Sequence, residues 1–569
     1  MKDSLSARLL HVFAAALFSL VIAGATLAHA ATITIVNFDS PGEGFNDATA
    51  VAPIGGNTGV TRGQQRLKVF QAAAAIWGAI LPSPITINVE ARFDPLFPCD
   101  ASSGVLGSAG PLTISANFPN AELPNTWYHI ALANKMAGTD LAAGANDITA
   151  RFNSDVDNAT CLGTTSWYYG LDNAHGTNID LLPVVLHELG HGLGFSTLAS
   201  GSTGALFNGQ RDIWTHYLLD TDQDLHWDEM TDFERATSAI NTGKLVWDGP
   251  AVIVHGDDFL GPVSFVRIDA PAGIAGEKGF GTANFGPPLA APPLVGQVVL
   301  VDDGAAPNAD ACTAIVNTAQ VSGKIALIDR GACTFVIKVQ QAQIAGAIGV
   351  IIVNNVAGSP PLMGGDDPGL LIPAVSISLA DGNAIKAALL SETVTATLGL
   401  DVTRTAGQNG HERTLLYAPN PFEGGSSVSH FDVSASPNLL MEPAINSDLT
   451  SSVDLTRYLF EDIGWFSPRS VSVADRPARS LRLRSTPNPF FAATTVRFTL
   501  ANAGLTEIDV YDVNGRLVKR LMRAWQPSGE GAVSWDGTDQ GGRRVSPGVY
   551  LTRLRSGATS ENRRIVRMH

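Results

Sequence analysis

The sequence predicts a multidomain α+β protein: a helix-and-strand domain bearing a metal motif, interrupted by a small α/β unit and followed by a C-terminal β-sandwich. Three observations predict it. The run Leu186-His187-Glu188-Leu189-Gly190-His191-Gly192-Leu193-Gly194 places two histidines four apart, about 40° from each other around a helix axis, so that one face can hold one ion. Val298–Val301, Lys324–Ile328 and Ile348–Val353 are short, apolar and β-branched, with a helical stretch at 334–345 between the last two, which is the spacing of a parallel α/β unit. Beyond about Leu483 the pattern changes to alternating strands at 494–500 and 507–511, with the turn signal Asn514-Gly515. At 569 residues the chain is too long for a single core.

In chain order, Lys2 and Arg8 precede an apolar stretch from Leu9 to Leu27, and Ala28-His29-Ala30 has the small-x-small form of a cleavage site. Residues 1–30 are therefore expected to be a secretory signal, and the protein to be secreted or held at a bacterial cell surface. No later stretch approaches 18 uninterrupted apolar residues. All four cysteines, Cys99, Cys161, Cys312 and Cys333, lie in the expected mature part, and an even count in an exported chain favours two disulfides. Three pairings are open; nearest neighbours, Cys99 with Cys161 and Cys312 with Cys333, keep each bridge within one proposed domain. The formal charge is −16, yet residues 467–569 hold 17 Lys+Arg against 8 Asp+Glu, a balance of +9 that leaves −25 for the rest. That split separates modules. It argues against nucleic-acid binding, since the arginines are scattered along strands.

Thr61–Leu81 has the periodicity of an amphipathic helix ended by Pro82 and Pro84, and 85–93 and 147–152 alternate as strands do. Residues 212–247 are expected to be helical and acidic. The alternating Asp220, Asp222 and Asp224 lack the glycine and glutamate of a calcium loop, so a solvated turn is expected. Asp454–Ile463 is expected to be a helix closing the metal domain at Gly464-Trp465.

The chemistry lies in the 187–191 motif. A carboxylate beside a metal-activated water can take its proton and pass it to a leaving amine, so Glu188 is expected to be the general base of metal-assisted peptide hydrolysis. A third ligand is needed. In the compact metzincins it follows the helix-ending glycine by three residues, where this chain has Thr197. His430 opens Ser429-His-Phe-Asp-Val-Ser-Ala-Ser-Pro-Asn-Leu-Leu-Met441-Glu-Pro443, a methionine eleven residues after a histidine. Together with His187-Glu-x-x-His191-x-Leu-Gly-Phe-Ser196, this resembles the leishmanolysin-type metzincins, in which the third histidine follows a long insertion. The resemblance implies a Zn²⁺ endopeptidase with His187, His191 and His430 as metal ligands, Glu188 as catalytic base and Met441 in a structural Met-turn. His255 is the second candidate for third ligand. Glu229 or Glu234 would mark a thermolysin-like arrangement.

The interrupting region resembles a protease-associated (PA) domain through Gly323-Lys-Ile-Ala-Leu-Ile-Asp-Arg-Gly-Ala-Cys-Thr-Phe335, Ala345-Gly-Ala-Ile-Gly-Val-Ile-Ile-Val-Asn-Asn355 and Ile372-Pro-Ala-Val-Ser-Ile377. The tail resembles the immunoglobulin-like module of the flagellar hook-capping type through Pro487-Asn-Pro-Phe490, Tyr511-Asp-Val-Asn-Gly-Arg516 and Ser546-Pro-Gly-Val-Tyr550. The expected map is a signal peptide at 1–30, a metalloprotease domain at 31–261 and 403–466 interrupted by a PA-like domain at 262–402, a linker at 467–483 and a β-sandwich at 484–569. Expected partners are protein or peptide substrates, with cell-surface or sorting machinery met through the tail; a monomer is expected. The alternative function is a non-catalytic exported adhesion or binding protein that keeps a structural metal.

Overall fold

A computed structural model describes residues 30–466 and 482–568, apart from 447 and short stretches at 487, 489, 501–503, 513–514, 528 and 557–558. The expected signal segment up to residue 29, most of the expected linker, Asn514 and His569 lie outside the described residues.

The metal domain is a four-stranded sheet with two helices packed on it. Ile33–Asn37, Ile87–Asp94 and Ile148–Asn153 run parallel, and Gly107–Pro111 pairs antiparallel with the third at the edge. Alternate residues of Ile87–Asp94 are buried, as the period of two dictates. The helix Arg62–Ile80 starts where Thr61 accepts the Gln64 N–H, and it buries Phe70 and Trp77 against the sheet and the motif helix. Trp77 Nε1 donates to the Leu186 carbonyl at 3.0 Å, so this buried indole has its polar partner and ties the two helices together. The bridge Cys99–Cys161 closes the loops beyond the sheet.

Residues 212–247 correct the expectation of a helical stretch. They form short strands, Leu218–Asp220 paired antiparallel with Leu225–His226 and Leu245–Trp247, a 3-10 turn at Trp227–Glu229 and one short α-helix, Asp232–Ser238. Asp220 is buried and accepts the N–H groups of Asp222 and Gln223 and the Asn241 amide. A carboxylate serving three donors organises a turn, and that local bonding outcompetes helix.

The chain then enters an eight-stranded mixed sheet. Its centre is a parallel run, Leu294–Leu300, Ile325–Asp329, Gly349–Val353 and Ala374–Ile377, with the helix Phe335–Ile344 between the second and third. Gly349–Val353 is buried on both faces, which is why it reads as an unbroken apolar run. The first and last strands of the insertion, Pro262–Ala270 and Thr395–Thr405, pair antiparallel, with Pro262 opposite Thr405. The insertion thus leaves and rejoins the metal domain at one point. Its root is tied down there: Gly261 N–H donates to Ser436 O at 2.7 Å and Ala406 N–H to Gly261 O at 2.8 Å. Cys312 bonds to Cys333 at its surface.

The chain returns through 406–466 to complete the metal-domain core, where Met441, Leu459, Phe460 and Trp465 join Trp77. The C-terminal module is two antiparallel sheets, of three and four strands, enclosing Phe490, Trp535 and Tyr550. Among the described residues no helix is long and apolar enough to cross a membrane.

Candidate metal centre

The motif helix, Leu181–Leu193, begins where the Asp180 carboxylate accepts the Leu182 N–H at 3.0 Å and ends at Gly194. Gly194 has φ +131, which an L side chain rarely adopts, and a Cβ there would fall 2.9 Å from Ile463. The helix glycines have steric causes. A Cβ on Gly190 would sit 2.8 Å from Met441 Sδ, and one on Gly192 would sit 2.4 Å from Ile148 Cγ2. Met441, fully buried, therefore lies directly beneath the turn between the two motif histidines.

The Nε2 atoms of His187, His191 and His430 form a triangle with all three sides 3.2 Å. Each ring is oriented through its other nitrogen. His187 Nδ1 donates to Leu440 O at 2.7 Å, His191 Nδ1 to Phe195 O at 2.8 Å and His430 Nδ1 to Ser426 O at 2.7 Å. A carbonyl only accepts, so every Nδ1 carries its hydrogen and every Nε2 presents a bare lone pair. Burial, with the neighbouring imidazoles adding to it at His187 and His430, pushes the rings well below the usual histidine pKa: His187 to about 3, His191 to about 4, and His430 well below its usual value too. Three converging lone pairs on buried neutral rings repel one another unless a cation sits between them. Tetrahedral zinc with nitrogen ligands at 2.0–2.1 Å sets neighbouring nitrogens about 3.3–3.4 Å apart. The triangle fits that ion.

Glu188 is buried against the edge strand. A hydrogen bond from the Ala109 N–H reaches its carboxyl, and a Cβ on Gly107 would lie 3.0 Å from its Cγ. Burial drives its pKa up to about 8, and the Ala109 bond opposes the shift. Gly107–Pro111 is thus both a sheet edge and the wall beside the carboxylate. Its sequence, Gly-Ser-Ala-Gly-Pro, lacks β-branched and aromatic residues, so sequence periodicity misses it.

Thr197, where the compact family has a ligand, does other work. Its hydroxyl donates to Asp212 Oδ2 at 2.9 Å, Leu198 N–H reaches the same oxygen at 2.6 Å, and Thr197 N–H donates to Ser429 Oγ at 3.3 Å, next to His430. The other candidates lie elsewhere. His255 stacks on Tyr458 with ring centroids 3.8 Å apart and holds Asp258. His216 faces Asp228 and His226 faces Asp248. Glu229 accepts the His226 N–H, and Glu234 caps the helix that follows Thr231. The structure brings none of these to the triangle, which is the one grouping of three or more potential ligands among the described residues.

Comparison with known proteins identifies two modules. Residues 293–385 match the PA domain and residues 490–559 the FlgD Ig-like domain. A leucine aminopeptidase 2 of Aspergillus fumigatus is 41% identical over 106 residues, 16% of this chain and 21% of that protein. The minor extracellular protease Vpr of Bacillus subtilis is 34% identical over 88 residues, 16% of this chain and 10% of that protein. The chain therefore spans at most about a fifth of the length of these relatives, in matches about as long as the PA domain. Among solved structures, the zinc aminopeptidase BSAP of Bacillus subtilis is 27% identical over 25% of this chain and 31% of that one, with a TM-score of 0.19.

Proposed function

We propose that this protein is an exported zinc metallopeptidase acting on proteins or peptides, and that it is an endopeptidase of leishmanolysin-like metzincin type. The carrying observation is the convergence of three lone pairs, each fixed by a carbonyl behind it, beside a buried carboxylate and an open strand edge. His187, His191 and His430 would hold the ion; when bound, zinc supplies Lewis acidity beside Glu188. The chain's own groups do the rest. Glu188 takes a proton from the attacking water and delivers it to the leaving amine. The outer side of the edge strand Gly107–Pro111, apart from the Ala109 N–H that holds Glu188, offers backbone groups to an extended substrate, which orients the scissile bond without reading side chains. A peptide running along an edge is presented at an interior bond, which favours endopeptidase action. Met441 and Leu440 form the floor, the first by filling the space at Gly190 and the second by orienting His187.

The relatives support the broad reading, since two of them bear peptidase names. The non-catalytic alternative has less support: a purely structural site needs no base, and it normally fills the fourth position with protein. Digestion of casein and a mixed peptide library, before and after chelation and after zinc is restored, tests the proposal. Cleavage lost on chelation and regained with zinc supports it. A zinc-loaded protein inert on both substrates would overturn it.

A further inference from the structure

Val428, two residues before His430, has φ +75°, in the left-handed region where Cβ crowds the backbone of an L residue. Most of the described non-glycine residues with positive φ are asparagine or aspartate, which tolerate it, and Val428 is the one β-branched residue among them. Branching at Cβ makes that region costlier still. The side chain is fully buried in the metal-domain core, and its packing there offsets the strain. A strained residue kept by the structure around it points to function, so what it holds in place matters.

Ser426, on one side of Val428, turns its carbonyl to Nδ1 of His430, on the other side, at 2.7 Å. Both flanks are pinned. The Val428 N–H donates to Tyr417 O at 2.7 Å and the Tyr417 N–H to His430 O at 2.9 Å, while the N–H groups of Ser426 and Ser427 donate to Glu423 O at 3.2 and 2.9 Å. Beyond the imidazole, Phe431 N–H donates to Met441 O at 2.8 Å. Between these anchors, the Val428 φ decides where Ser426 sits relative to the ring. Returning it to an ordinary value near −60° turns Ser426 by about 135° around the Val428 N–Cα bond. The carbonyl then leaves Nδ1, and an imidazole without that partner is free to rotate and to carry its hydrogen on Nε2, where it blocks a metal.

We infer that Val428 is a positioning residue for the metal centre: its left-handed backbone, locked by burial of the branched side chain, holds the Ser426 carbonyl on His430 and so aims the third Nε2 at the other two. The inference rests on the reading of His430 as a metal ligand. The test is a zinc competition titration on full-length wild type, Val428→Thr, Val428→Gly and His430→Ala, with a calorimetric Tm and, after cobalt loading, a visible spectrum of each. Val428→Thr keeps the branched shape, and with it the backbone, but loses apolar contact. Its Tm should fall while its zinc affinity stays within threefold of wild type and its cobalt spectrum is unchanged. Val428→Gly can keep the same φ but also admits many others, so the ring is no longer fixed. It should bind zinc at least tenfold more weakly, as is usual when a metal ligand loses the partner behind it, and shift the cobalt bands. Where Val428→Gly does not fold, Val428→Ala, which also lacks the branch, is measured in its place. Zinc affinity within threefold of wild type in that variant, or equal weakening by Val428→Thr, overturns the inference. If His430→Ala meanwhile binds no zinc, the ligand reading stands and only the role of Val428 falls; wild-type zinc affinity in His430→Ala overturns both.

Discussion

Glu188→Gln separates proton chemistry from metal binding. Glutamine has nearly the volume of glutamate, and its amide oxygen can still accept the Ala109 N–H that reaches the carboxyl. The tight fit against Gly107, where a Cβ would come within 3.0 Å of the Glu188 Cγ, is undisturbed. The three metal-facing rings keep their carbonyl partners at Leu440, Phe195 and Ser426. What is lost is a group that can exchange a proton. A positioned general base contributes about 10²–10⁴ in rate, so kcat/KM should fall by that factor, about 2.7–5.4 kcal/mol of barrier. The assay is continuous hydrolysis of a quenched fluorogenic peptide, with zinc per chain measured by atomic emission on the same sample. Zinc should remain at one per chain. Activity within threefold of wild type would refute the assignment of the base, and loss of zinc would show that Glu188 is needed to build the site.

Other perturbations follow from the same geometry. His430→Ala removes one vertex of the triangle and should yield protein with little bound zinc and no peptidase activity; full zinc content would discard His430 as a ligand. Gly192→Ala gains about 1 kcal/mol of helix propensity but forces a contact of 2.4 Å on Ile148, and overpacking costs about 1–3 kcal/mol, so a lowered Tm is expected by calorimetry and a raised one would contradict the packing. Asp212→Ala orphans the Leu198 and Thr215 N–H groups and the Thr197 hydroxyl, at about 1–3 kcal/mol each. Besides losing stability it should weaken zinc about tenfold in a competition titration, because Thr197 steadies Ser429 beside His430. Replacing 262–405 by a short glycine linker should leave a folded zinc domain active on small peptides, since Pro262 and Thr405 are strand partners; insoluble or zinc-free product would show that the insertion is needed for folding.

The sequence disclosed most where chemistry and periodicity coincide. The motif helix could be placed from its histidine spacing and Gly194, and the inserted sheet from its β-branched runs, because the parallel strands are buried on both faces. His430 was traceable through Met441: the same segment supplies the third imidazole and the carbonyl of Leu440 that orients the first. Two features were illegible. The edge strand Gly107–Pro111 owes its conformation to pairing with Ile148–Asn153, and its own residues have no strand preference. Residues 212–247 do not hold one helix: Asp220 directs the backbone into a turn between strands of two or three residues, too short for periodicity to register, and only Asp232–Ser238, started by the Thr231–Glu234 caps, is α-helical.

The root of the insertion bears on the order in which the three-histidine site is assembled. Gly261 is bonded to Ser436, six residues past His430, so the two ends of the inserted sheet and the segment bearing the third imidazole meet at one knot. During synthesis the motif helix emerges early, but its partner imidazole follows 239 residues after His191. On the proposed function, until that segment docks the nascent chain has two of the three ligands and lacks the centre with which to cut itself or its neighbours. For a peptidase as proposed, delayed completion would be a safeguard that resides in chain order alone, and chains arrested before and after residue 430 should differ in zinc retention accordingly.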